Sequence, residues 1–286
     1  MPPLPPFSLF GDTEPAHPLI ISVPHAGRHY PDAMKVLARL PEGRLRPFED
    51  RYADALAGGA FAAGVWGIVA NTARAWIDLN RSESEIDPGF IDLPSGALPL
   101  VSAKVRGGLG LIPRRISGGG DVWHRRITAE DLSARITQHH RPYHQTLGVM
   151  LERARAKFGI AILLDIHSMP TLSETSDSPS AQIVIGDSFG RSADDRFTAC
   201  AAAVAQQFDL LTAINHPYAG GHILRHHARP QRGLHAIQIE IDRSLYLDAH
   251  YHRPTERLER MRKFIARLVF ALIDEALEYP QAIAAE

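Results

Sequence analysis

The run Ile160-Ala161-Ile162-Leu163-Leu164-Asp165-Ile166-His167 constrains this chain more than any other stretch. Its apolar residues are unbroken up to Asp165 and rich in β-branched side chains, as in a strand covered on both faces. Such a strand lies inside a sheet flanked by helices. It ends in an acid and a histidine that strand alternation puts on one face.

The rest of the sequence supplies the partners this strand needs. Pro18-Leu19-Ile20-Ile21-Ser22-Val23-Pro24 predicts a short buried strand ended by a turn. Gly67-Ile68-Val69-Ala70-Asn71, Ala75-Trp76-Ile77-Asp78-Leu79-Asn80, Ala181-Gln182-Ile183-Val184-Ile185-Gly186 and the run from Gly233 to Ile241 predict further strands. Helices are expected over residues 48–63, 128–157, 193–208 and 257–277. Thr128 is placed to cap the second, with Asp131 in the capping-box position, and Ser192 to cap the third. Residues 88–120 are rich in Gly and Pro and read as a long irregular region, the kind that carries function. Strands alternating with helices, without repeats or a break in composition, predict one α/β domain over residues 1–286, its first sixteen residues an extended Pro-rich lead-in. Helices are expected on both faces of a mixed, mostly parallel sheet, a three-layer α/β/α sandwich. Chemistry in such sheets sits at the carboxyl ends of the strands.

Charge narrows the partners. A net charge of −1 leaves no electrostatic footprint for nucleic acid or a membrane surface, so an anionic ligand must be held by a few local cations. No apolar stretch is long enough to span a bilayer, and the first residues lack the pattern of a signal peptide. The single cysteine, Cys200, excludes an internal disulfide and is expected as a buried thiol. The cytoplasm is the expected location.

Four segments bring polar residues to expected strand ends: His25 after Pro24; Asp165 and His167; Arg74 through Arg81; and Gln238 with Glu240. A lone strand-end histidine is more often structural than a ligand, and a half-exposed strand accounts for Glu240 alone. Together, two histidines and a carboxylate make a Zn²⁺ site with an open position for water, with a separate carboxylate as general base. Arginines suit an anionic substrate. The carboxylate ligand is open among Glu49, Asp50 and Asp54. The last two share a face of the expected first helix, where a capping role competes. His139-His140 is expected as a solvated helix face, and the run from His222 to His227 as a substrate loop.

Ser22-Val23-Pro24-His25-Ala26-Gly27, Ile77-Asp78-Leu79-Asn80-Arg81, Asp165-Ile166-His167-Ser168, Gly220-Gly221-His222-Ile223-Leu224-Arg225-His226 and Ala236-Ile237-Gln238-Ile239-Glu240-Ile241 together resemble the N-formylglutamate amidohydrolase family. The resemblance implies a zinc-carboxypeptidase-like fold and hydrolysis of N-formyl-L-glutamate to formate and L-glutamate, a late step in histidine degradation. The substrate is then a small anionic N-acyl amino acid. The resemblance also implies Zn²⁺, or another divalent transition metal, on His25, Asp50 and His167, with Asp165 as a supporting carboxylate. Glu240 is implied as the base and Arg74 as an oxyanion partner. Asn80 and Arg81 are implied for the α-carboxylate, and His222 or Arg225 for the side-chain carboxylate. Another N-acyl amino acid deacylase, a small carboxypeptidase, or a relative that binds without catalysis are the alternatives.

Overall fold

A computed structural model describes residues 4–93, 96, 98–116, 120–173 and 180–283. The chain forms two compact units. Met1–Ser8, Pro24–Arg51 and Val69–Thr146 make the first, and Leu9–Val23, Tyr52–Ile68 and Leu147–Glu286 the second. The strands are β1 (Phe7–Phe10), β2 (Leu19–Val23), β3 (Trp66–Ala70), β4 (Arg115–Ile116), β5 (Gly120–Asp121), β6 (Ala161–Met169), β7 (Ile183–Gly186), β8 (Thr212–Ile214) and β9 (Leu234–Asp242). Helices that matter below are α1 (Ala129–Arg135), α2 (Arg141–Phe158), α3 (Asp195–Gln207), α4 (His222–His227) and α5 (Leu258–Ile283).

The second unit is built around the predicted central strand. β6 is buried at every position. β2 lies parallel to it with Ser22 beside Asp165, and β9 lies parallel on the other side with His167 beside Glu240. β7 joins β9 antiparallel and β8 joins β7 parallel. The seven-stranded order is β1-β3-β2-β6-β9-β7-β8, so the sheet is mixed and mostly parallel, as the α/β reading expects. α5 covers it with Met261, Phe264, Ile265, Leu268, Val269, Leu272 and Ala276, all buried, at the three- and four-residue spacing of an amphipathic helix. α3 is capped by Asp194, which accepts from Arg196 N at 3.1 Å. Ser192, the expected cap, instead donates to Ala236 O at 2.8 Å. Cys200, on α3, is half-buried rather than buried. Burial and Glu275 push its thiol pKa up, away from reactivity.

Beside α3, His235 is buried against the Phe197 ring at 4.9 Å, and its Nδ1 accepts from Asp194 N at 3.3 Å. Burial lowers its pKa from 6.5 to about 4. The unfolded chain therefore takes up a proton below pH 6.5 that the folded chain refuses until about pH 4. Stability is full above that window and falls within it as pH drops, by on the order of 3 kcal/mol for this one group. Urea unfolding of His235→Phe at neutral and mildly acid pH is expected to show a flatter pH dependence than wild type. An unchanged slope would refute this source of acid sensitivity.

The first unit has its own core, which includes Tyr30, Met34, Phe48, Trp76, Leu111, Ile112, Trp123 and Ile136. Leu111 and Ile112 are part of it, so the middle of the irregular region 88–120 is packed rather than free. Three expectations are corrected here and at the chain's passage between units. Residues 48–63 are not one helix: a 3-10 turn (Arg46–Phe48) is followed by extended Glu49, and Tyr52 at φ 61 restarts a short helix, Ala53–Leu56. Asp50 and Asp54 therefore share no helix face. Residues 75–80 form turns rather than a strand, because the Asp78 carboxylate accepts from Asn80 N at 2.9 Å and bends the chain. The helix expected over 128–157 does begin at a Thr128 cap, but passes through a π turn, Ile136–His140, between α1 and α2. His140 is buried there and His139 half-buried, not solvated.

Candidate active site

In the first unit, polar side chains gather on Asp78. Pro24 ends the β2 segment and His25 follows it. The loop then presses against residues 71–73 so closely that a Cβ on Gly27 would lie 2.1 Å from Thr72 O. Glycine is required for that approach. The approach is pinned by His29 N to Asn71 O and Ala73 N to His29 O, both 2.9 Å. His25 Nε2 donates to Asp78 Oδ1 at 2.7 Å, while its Nδ1 lies 3.5 Å from Asp50 Oδ2. Asp50 N also donates to His25 O at 2.8 Å. Arg74 sets Nε and Nη2 on Asp78 Oδ2, each at 2.9 Å. One fully buried carboxylate thus orients His25, Arg74 and the Asn80 backbone. Burial alone would raise its pKa, but Arg74, His25 and Arg81 outweigh burial and hold it well below the usual carboxylate range.

Arg81 is buried, with Nε on Leu109 O at 2.8 Å and Nη1 on Asn80 O at 2.7 Å. Glu49 is engaged by the Tyr30 hydroxyl and by Arg51, so of these two candidate ligands it is Asp50 that lies beside His25, at Nδ1.

The second unit repeats the arrangement on β6. Asp165, fully buried, accepts from Ser22 Oγ at 2.7 Å and from His167 Nε2 at 2.8 Å. Each imidazole therefore has Nε2 fixed by a buried aspartate, the relation that sets the tautomer of a metal-ligating histidine. Parallel register carries Gln238 beside Asp165 and Glu240 beside His167, and Gln238 Nε2 donates to Glu240 Oε1 at 3.0 Å. Glu240 alone interrupts the burial of β9.

α4 carries the remaining expected residues. His222 opens it, its ring 5.0 Å from His226. Arg225 lines a cavity of about 430 Å³ with Ser188, Arg191, Ser192, Gly220 and Leu224. Asp78 stands within a motif resembling the family but has no role that sequence alone suggests. Its spacing of four from Arg74 was the available signal.

The fold and these sites define an α/β protein whose buried histidines are held by aspartates at the ends of parallel strands. A profile of the N-formylglutamate amidohydrolase family matches residues 17–247. The N-formylglutamate deformylase of Pseudomonas aeruginosa is 29% identical over 90% of this chain and 92% of its own length. That of Pseudomonas putida is 30% identical over 81% and 82%. The crystal structure of N-formylglutamate amidohydrolase from Ralstonia eutropha superposes with a TM-score of 0.87 at 29% identity, covering 96% of this chain and 98% of that one. The chain belongs to the N-formylglutamate amidohydrolase family. A structure from Agrobacterium tumefaciens, 18% identical with a TM-score of 0.65 over 96% and 94% of the two chains, shares the fold.

Proposed function

We propose that this chain is a metal-dependent amidohydrolase that cleaves N-formyl-L-glutamate to formate and L-glutamate. The observation that carries the reading is the matched pair of buried contacts, His25 to Asp78 at 2.7 Å and His167 to Asp165 at 2.8 Å. Imidazoles held this way are preset as ligands. Within the first unit Asp50 lies 3.5 Å from His25 Nδ1, and within the second Asp165 holds His167. His25 follows the end of β2 by two residues, and Ser22 of that strand pairs with Asp165, two residues before His167. His25, Asp50 and His167 are the proposed ligands, a donor set that fits Zn²⁺ and also other divalent transition metals. The metal, when bound, supplies Lewis acidity.

The chain's own residues supply the rest. Glu240 takes a proton from the attacking water and returns it to the departing nitrogen. Arg74, aimed by Asp78, stabilises charge developing on the formyl oxygen. Asn80 and Arg81 hold the α-carboxylate, and His222 or Arg225 the side-chain carboxylate. Because the family match runs across both units, they are proposed to act as one catalytic domain. No helix among the described residues is long and apolar enough to cross a membrane. A cytoplasmic place in histidine degradation is the proposed setting.

Glutamate release from N-formyl-L-glutamate is expected to vanish on chelation and return with Zn²⁺. Bound metal without turnover of this compound would move the substrate to another N-acyl amino acid. Absence of both stoichiometric metal and activity would reject the catalytic reading.

A further inference from the structure

Within the first unit, one helix face is fastened to the backbone of the segment that bears Asn80 and Arg81. Arg135 Nη1 donates to Trp76 O at 3.0 Å, His140 Nε2 to Arg81 O at 2.8 Å, and His144 Nε2 to Leu79 O at 2.9 Å. The carbonyls on either side of Asn80 are thus both taken by histidines from one helix. A carbonyl only accepts, so each imidazole carries its proton on Nε2.

The spacing depends on the π turn. Five residues of plain α-helix advance about 140° round the axis, which would turn His140 away from Arg135. The π turn Ile136–His140 closes its bonds five residues apart instead. Arg135 and His140 then face one side, and His144, four residues on, continues the line. The His140 and His144 rings lie 4.3 Å apart, centroid to centroid, and Arg135 sits 3.5 Å over the Trp76 ring. The segment they hold is neither helix nor strand, and no ladder fixes its carbonyls.

We propose that His140 and His144 are positioning residues for the substrate clamp: through the carbonyls of Arg81 and Leu79 they set where Asn80 and the Arg81 guanidinium meet the substrate carboxylate. The inference rests on the reading of Asn80 and Arg81 as that clamp. Each histidine acts through the backbone, from a helix whose one irregular turn makes the contact possible.

The test compares two substitutions at each histidine. His140→Phe and His144→Phe keep a ring in the stack and remove the N–H. His140→Gln and His144→Gln lose the ring but restore a donor at the Nε2 position. Loss of one such bond is expected to raise KM for N-formyl-L-glutamate about tenfold in the Phe variants, with kcat changed less than about twofold. The Gln variants are expected to recover most of the loss. Hydrogen exchange at the Asn80 and Arg81 amides is expected to quicken in the Phe variants and to recover in the Gln variants.

Quickened exchange with unchanged KM overturns the inference, because the bonds then serve structure alone. Equal defects in Phe and Gln variants also overturn it. If wild type does not turn over N-formyl-L-glutamate, the proposed activity fails on its own. Calorimetric affinity for L-glutamate then carries the same comparison, the Phe-weak, Gln-restored order supporting the positioning role and its absence rejecting it.

Discussion

Glu240→Gln is expected to lower kcat for N-formyl-L-glutamate by about 10²- to 10⁴-fold while leaving metal content at the wild-type level, the range a positioned general base commonly contributes. The substitution is close to isosteric. Gln238 Nε2 now donates to Glu240 Oε1 at 3.0 Å, and the amide oxygen of the variant can accept the same bond. The register that sets this side chain beside His167 is a property of the β6–β9 backbone and does not change. On the proposed mechanism, what is lost is the ability to take a proton from water and give it to the departing nitrogen. That loss falls on the transition state rather than on substrate binding, so KM should move little. Metal analysis of the purified variant separates a missing base from a missing ligand. Activity within tenfold of wild type, with metal bound, would exclude Glu240 as the base.

How this centre is encoded explains what could be read in advance. Asp165 and His167 were legible because strand alternation is a local rule, and β6 obeys it over its whole buried length. His25 was legible as a residue leaving a strand. The carboxylate that holds His25 was not. Asp78 lies 53 residues from His25, and only the tertiary fold brings the two together. The same carboxylate also defeated the strand expected over 75–80, since its bond to Asn80 N turns the chain. Hydrophobic periodicity could not report that bond. Nor could it report the π turn, a change of hydrogen-bond register within a stretch whose pattern still reads as helix. His139 and His140 looked like a polar face because the residues that receive them, Thr72 and Arg81, lie 67 and 59 positions away. The break at Tyr52 carries no glycine to announce it: a tyrosine holds the left-handed φ of 61.

The dependence of three groups on one carboxylate gives Asp78→Asn the broadest expected defect of any single change outside the proposed ligands and base. Asparagine has one acceptor oxygen where aspartate has two. If that oxygen keeps His25 and Asn80, an amide N–H is turned against the Arg74 guanidinium. If it keeps Arg74, the N–H is turned against the His25 and Asn80 donors. Either way a buried donor faces a donor, and a pair charged in the wild type is broken, with a stability cost on the order of 3 kcal/mol. Metal affinity is expected to fall by about 10- to 100-fold through His25. The comparison with Asp165→Asn isolates the hub. Asp165 holds His167 and Ser22 and, among the described residues, no arginine, so excess Zn²⁺ should largely restore that variant. Asp78→Asn should stay impaired at saturating metal, because Arg74 and Asn80 remain misplaced when His25 is reoccupied. Acid unfolding offers a second reading. The depressed Asp78 pKa contributes stability that is fully present above the unfolded carboxyl value of 3.8 and is lost as pH falls through the lower folded value. The asparagine variant lacks that contribution and should unfold with a shallower pH dependence in that range. Full recovery of kcat/KM by added Zn²⁺ in Asp78→Asn would mean that Asp78 serves the metal ligand alone, and the positioning of Arg74 would then need another source.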